Sequence, residues 1–234
     1  MAPKITLHFI PIPGSRADRL FWILEELGLE YNVQAHLQQG PTSPSFKEVS
    51  VLGKTPALEV DGRILTETGF IVQYLLKNFP KAGLEATPSD DSVHWSFFSE
   101  GTLMLHLQPG RVLGFAAGAL PKKPGVSAEE GKGMAALYNW FSSVWVGKNV
   151  PLQLQCVEDF LAQNPNFSGS ELIGSGDIMM GYPLNYLATG TIMGEYSVGP
   201  ATRKWVAGIR ARPAWQRAME RQDKERQVQS KPKM

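Results

Sequence analysis

Ile5-Thr-Leu-His-Phe9 alternates apolar and polar residues, the period of a strand with one buried face. Pro11-Ile-Pro-Gly14 breaks that period, and Ser15 stands where a helix N-cap belongs. Leu20, Ile23, Leu24 and Leu27 then form one helical stripe, which Gly28 ends. Tyr31–Leu37 predicts a second strand, a Gly/Pro/Ser-rich loop covers residues 40–45, and a short amphipathic turn follows. Ala57–Val60 and Arg63–Thr66 flank Asp61-Gly62, a strong hairpin signal. Thr66 and Glu67 open a helix carrying Phe70, Ile71, Tyr74 and Leu75, so a β-α-β-α-β-β-α order is complete by Phe79.

The texture changes after Pro80. Residues 80–92 are rich in Pro, Gly and small polar side chains, as a linker would be. Apolar-periodic segments near 92–119, 127–163, 175–190, 200–212 and 213–227 predict an all-helical second half. The division is therefore residues 1–80, a linker at 81–91, and a helical unit at 92–234.

Composition narrows the class. With 43% apolar and 19% charged residues, the 234-residue chain can build a real core and suits a soluble globule. No apolar run reaches the ~18–20 residues of a membrane span, and Met1-Ala-Pro-Lys-Ile lacks a secretory pattern. Cys156 is the only cysteine, which excludes an intramolecular disulfide and a Cys-rich zinc site, and points to a cytoplasmic setting. From Arg203 onward ten Lys/Arg face three Asp/Glu, against 13 and 19 in the preceding residues. Arg217, Glu220, Arg221, Lys224 and Glu225 are spaced for i,i+3 and i,i+4 pairs, so a solvated helix with a frayed tail is expected rather than a nucleic-acid or membrane surface.

Four local features could carry chemistry. Ser15 is either a helix cap or a hydroxyl placed beside free helix N–H groups to stabilise an anion. Gly53-Lys-Thr-Pro56 is an ordinary turn before a strand, or a cis-proline site whose Thr55 backbone pairs with a peptide-like ligand. Leu65-Thr-Glu-Thr-Gly69 places an acid at a helix start, where the dipole favours it. Asp177, in Ile173-Gly-Ser-Gly-Asp-Ile, reads as a structural cap. The histidines show no metal spacing and no phosphate-cradling loop is present, so neither metal nor nucleotide cofactor is expected.

Together, in this order and spacing, the four features resemble the cytosolic glutathione transferases, especially fungal and bacterial Ser-type members. The stretch Ser15-Arg-Ala-Asp-Arg-Leu-Phe-Trp-Ile-Leu-Glu-Glu-Leu-Gly-Leu-Glu-Tyr31 is similar to their first helix. The resemblance implies a thioredoxin-like α/β N-terminal domain followed by an all-α domain, in a homodimer. Ser15 would then stabilise the glutathione thiolate, and Lys54, Thr55, cis Pro56, Glu67 and Thr68 would hold the tripeptide. Glutathione would be a cosubstrate, with no further cofactor. By position alone, Pro13, Met104, His106, Leu107, Arg111 and Phe115 would line the pocket of a hydrophobic electrophilic acceptor. The implied settings are detoxification or secondary metabolism. Two other readings are a glutathione-dependent isomerase working by addition and elimination, and a non-catalytic glutathione-binding module. Thr55 replaces the Val or Ile usual before the proline, and Gly174 stands where a capping Ser or Thr usually lies.

Overall fold

A computed structural model describes residues 2–37, 43–190 and 196–230. The part of the predicted loop at 40–42 and the last tail residues, 231–234, lie outside them. The first half follows the order expected from the sequence: β1 (Ile5–Phe9), α1 (Ala17–Leu27), β2 (Asn32–Ala35), α2 (Pro44–Lys47), β3 (Ala57–Val60), β4 (Arg63–Leu65) and α3 (Thr68–Asn78). The sheet order is β2-β1-β3-β4, with β1 parallel to β2 and antiparallel to β3. Asp61 (φ 50°) and Gly62 (φ 83°) both take positive φ, as a tight β3–β4 turn requires. This is a mixed, thioredoxin-like sheet, and it brings the α1 and α3 N-termini beside the start of β3.

The second half is helical: α4 (Asp90–Phe98), α5 (Met104–Ala119), α6 (Ala128–Phe141), α7 (Gly147–Leu161), α8 (Ser175–Thr189), α9 (Pro200–Ala211) and α10 (Pro213–Ser230). Two segments that read as continuous helices are interrupted by π-helical turns, at Ser99–Leu103 and Ser142–Val146. Such turns insert a residue into the helical register and re-aim side chains, which apolar periodicity does not reveal. The predicted linker is pinned: Glu85 N–H bonds to Ile173 O at 3.0 Å and Ile173 N–H to Gly83 O at 3.2 Å.

Asp177 caps α8 as its sequence context suggests. Its carboxylate accepts the Gly174 N–H at 2.9 Å and the Phe167 N–H at 2.7 Å. Burial pushes the carboxyl up to about 7 against the pull of those backbone donors. A Cβ at Gly174 would collide with the Glu85 carboxylate and the Ser92 hydroxyl, which hydrogen-bond each other. Glycine at this position therefore follows from packing.

The C-terminal helix corrects the expectation of a solvated, locally paired helix. Arg212 bonds to Glu26 at 2.5 Å and Arg217 to Glu25 at 2.9 Å. Arg221 donates to Tyr31 O at 2.6 Å and covers the Tyr31 ring at 3.8 Å. Gln222 donates to Asp18 at 2.6 Å, and Arg226 reaches Ile12 O at 3.3 Å. Of the local pairs expected from spacing, Lys224–Glu220 forms at 2.7 Å. Helix α10 thus lies on α1, with Trp215 edge-on to Trp22 at 5.1 Å. Sandwiched in this way, α1 is buried almost all round, beyond the single stripe its sequence shows.

Candidate functional site

A cleft of about 290 Å³ opens where the start of β3, the start of α3 and the start of α1 meet the π-helical turn after α4. Lys54, Thr55, Pro56, Glu67 and Thr68 all line it, together with Ser50, Arg16 and Glu100. Five residues singled out from sequence for one ligand therefore surround one space. The Thr55–Pro56 bond is cis. Thr55 Oγ1 accepts the Ile10 N–H at 3.0 Å, joining the end of β1 to the start of β3 and giving the unusual threonine a structural task. Lys54 stands exposed at the rim.

Glu67 does not act as a cap. Its backbone sits at φ 67°, ψ 107°, the left-handed half of the map that non-glycine residues avoid, and its side chain makes no capping bond. A conformation of this kind costs about 1–3 kcal/mol and persists where surrounding structure fixes it, commonly at ligand sites. It leaves the Glu67 carboxylate exposed beside the buried Thr68.

Ser15 lies just behind the lined surface, 3% exposed. The first helix begins at Ala17, two residues after Ser15, with Arg16 already in helical conformation. Ser15 Oγ accepts the Ala17 N–H at 3.2 Å, so it satisfies one helix-start donor. Its own hydroxyl proton has no acceptor among the described residues. The preceding turn is fixed by Gly14 at φ 64°.

Two charged residues of this cleft, Arg16 and Glu100, are absent from the sequence-based site. Arg16 bonds to Glu100 through Nε at 3.0 Å and Nη2 at 2.8 Å. The fully buried Arg19 bonds to the same carboxylate at 2.6 Å, to Ser99 Oγ at 2.8 Å and to Met179 O at 2.9 Å. Burial opposes ionisation of Glu100, but Arg19 and Arg16 overcome it and hold its carboxyl below the usual range. Burial likewise opposes the charge on Arg16, and Glu100 raises it above its ordinary value. The cluster fixes one positive and one negative charge on the cleft wall. Arg16 could have been read from its place next to Ser15. For Glu100, the signal is an acid followed by glycine inside an otherwise apolar helical run.

The residues expected to line an acceptor pocket are dispersed in role. Met104 and Leu107 lie in the main hydrophobic core. His106 Nδ1 lies 2.8 Å from both Thr102 O and the Gln153 amide nitrogen, donating to the first in one tautomer or accepting from the second in the other, with its ring on Trp145 at 5.1 Å. Arg111 binds the carbonyls of Pro13 and Gly14 at 3.3 and 3.1 Å. Pro13 and Phe115 are exposed, the latter at 78%. Among the described residues, no cluster of three or more His, Cys, Asp or Glu could hold a metal ion, and no helix is long and apolar enough to cross a membrane.

Comparison with known proteins gives the likeness of sequence and fold. Residues 10–83 match the family model described as "Glutathione S-transferase, N-terminal domain". The chain is 27% identical over 231 residues to glutathione S-transferase 1 of Saccharomyces cerevisiae, covering 94% of this chain and 95% of the other. It shares its fold with the glutathione transferase URE2P8 of Phanerochaete chrysosporium, solved with oxidised glutathione: TM-score 0.70, 17% identity, 99% of each chain. The beta-etherase LigF of Sphingobium sp. superposes with a TM-score of 0.68 at 21% identity, over 93% of this chain and 99% of that one.

Proposed function

We propose that this chain, which belongs to the glutathione transferase family, binds glutathione in the cleft beside Ser15 and ionises its thiol for attack on an electrophile. The observation that carries the reading is the convergence of Lys54, Thr55, Pro56, Glu67 and Thr68 on that single cleft. Thr55 beside the cis proline offers backbone to the cysteinyl segment of the tripeptide. Glu67 and Thr68 offer a carboxylate and hydrogen-bonding groups to the γ-glutamyl end, and Lys54 offers a cation to the glycyl carboxylate. Residues 1–80 form the glutathione-binding unit and residues 92–234 supply the acceptor side.

The chemistry follows from thiol ionisation. A free thiol titrates near 8.5, so only a few per cent is thiolate at neutral pH. Lowering that value by about two units takes about 2.7 kcal/mol of preference for the anion. A hydrogen bond from Ser15 to the charged sulfur is worth about 1.5–3 kcal/mol, and the α1 N-terminus about 0.3–1 more. The thiol proton leaves to solvent. The thiolate electron pair then forms the new bond to sulfur, and the leaving group departs with its own bonding pair.

Glu67→Ala removes the exposed carboxylate without disturbing the core. Calorimetric titration with glutathione should show binding weakened by about 2 kcal/mol or more, because a charged partner is lost. Unchanged affinity would remove Glu67 from the site. Product analysis separates the catalytic readings, since conjugation consumes glutathione whereas isomerisation regenerates it. The likeness to a beta-etherase puts ethers on the acceptor panel, where the same thiolate would displace the ether oxygen as its anion. Absence of turnover across the panel, with binding intact, would leave a glutathione-binding module.

A further inference from the structure

The Pro13–Gly14–Ser15 turn is held from outside its own half of the molecule. Tyr182, on α8, donates its hydroxyl to Gly14 O at 2.6 Å. Arg111, on α5, donates to the same oxygen at 3.1 Å and to Pro13 O at 3.3 Å. Tyr182 is itself anchored, with its hydroxyl 3.4 Å from Arg111 Nη1 and its ring under the Arg19 guanidinium at 4.8 Å. The Gly14 carbonyl therefore carries two donors, one of them charged.

Peptide planarity gives this contact a consequence on the other side of the bond. The Gly14 C=O and the Ser15 N–H belong to one rigid trans unit and point in opposite directions. Donors on the oxygen draw electron density through the amide and strengthen the N–H as a donor in its turn. The Ser15 N–H has no hydrogen-bond partner among the described residues, and neither does the proton of its hydroxyl. Both donors of one residue thus stand uncommitted where the cleft meets the start of α1.

We infer that Arg111 and Tyr182 are positioning residues for thiol ionisation: they clamp and polarise the Gly14–Ser15 peptide, so that the Ser15 N–H and O–H act as a fixed pair of donors to the glutathione sulfur. This rests on the glutathione reading above and assigns Arg111 to the turn, not to acceptor binding. It also gives the helical half a part in the first chemical step. Two prearranged donors aimed at one developing anion stabilise it without reorganisation when the proton leaves.

Tyr182→Phe is the sharpest probe, because it deletes one neutral hydroxyl that lies behind the peptide. The thiolate absorbance of bound glutathione, followed against pH, should show the titration midpoint rise by about half to one unit, a three- to ten-fold loss of thiolate below it. Affinity for S-methyl glutathione, which has no thiol to ionise, should stay within two-fold, so the effect appears in kcat at neutral pH. Arg111→Gln, at a half-buried position, should raise the midpoint likewise, and Arg111→Lys should recover part of the shift. Arg111 also supplies the test should Tyr182→Phe fail to fold. Midpoints unchanged in the folded variants, while Ser15→Ala raises the midpoint, would overturn the clamp and leave the site reading standing. A wild-type midpoint no lower than that of free glutathione would instead overturn the site reading itself.

Discussion

Ser15 accepts the Ala17 N–H at 3.2 Å through the same oxygen whose proton is free for the cleft, so one substitution separates capping from thiol chemistry. Ser15→Ala should cost about 1 kcal/mol of stability through the lost cap. If the hydroxyl also stabilises the thiolate, the midpoint of bound glutathione should rise by roughly one to two units, with turnover at neutral pH falling about ten- to a hundred-fold. A lower thermal midpoint with an unmoved thiol titration would reduce Ser15 to its cap. The residues around it show what a sequence discloses. Lys54, Thr55, Glu67 and Thr68, which the fold brings to one cleft, lie within short motifs of fixed spacing, and Ser15 precedes a helix start, so each stands out in the sequence. Arg16 and Glu100 each carry a local signal, but their pairing joins positions 84 residues apart across the two halves, and no local pattern shows that. Arg111, expected by position alone at an acceptor pocket, donates to the Gly14 and Pro13 carbonyls: position on a helix does not tell which way a long side chain reaches.

At the scale of elements, β1, β3, α2 and the residue following β2 meet in a chain of polar side chains around a buried histidine pair. His8 Nδ1 and His36 Nε2 lie 3.1 Å apart, a hydrogen bond that needs a proton on one nitrogen only. Glu59 on β3 lies 3.4 Å from the far side of His8, Ser45 on α2 lies 3.1 Å from His36 Nδ1, and Phe46 packs edge-on to His36 at 5.0 Å. Burial, then the neighbouring His8, lower the proton affinity of His36, and Glu48 at the end of α2 only partly offsets them. The sign follows directly. The unfolded chain, titrating near the ordinary histidine value of 6.5, takes up a proton before the folded one. This contribution to stability is therefore complete above about pH 6.5 and is lost as pH falls through the lower folded value. The thermal midpoint of the wild type should drop between pH 7 and 5 more steeply than that of His36→Gln; parallel slopes would clear the pair of any role. Alternation marks β1 in the sequence, but a histidine pair between neighbouring strands depends on register, which alternation alone leaves open.

For the whole molecule, one hydrophobic core runs from Ile5 on β1 to Ala218 on α10, so both halves and the C-terminal helix are packed together. The basic C-terminal charge excess finds its partners in the acidic residues of α1, about 190 positions earlier, which is why local spacing misread it. That folding-back covers α1 but leaves another surface bare. Helix α6 buries none of its residues, and Leu137 and Trp140 lie largely exposed on it, with Phe115 exposed on α5. Leu52, on the wall of the cleft, and its neighbour Val51 are also exposed. Apolar side chains exposed on one helix favour contact with another chain, and a closed two-fold pair is the commonest assembly of soluble chains. We propose a second copy of this chain as the occupant, in line with the homodimer implied by the family resemblance. Sedimentation at micromolar concentration should give a mass near twice the 25.8 kDa chain. Leu137→Glu combined with Trp140→Glu places two carboxylates on a face that carries no core contacts, so the fold should survive while the mass falls toward one chain. A wild-type mass of a single chain would reject the dimer outright. A dimer indifferent to both substitutions would move its interface away from α6.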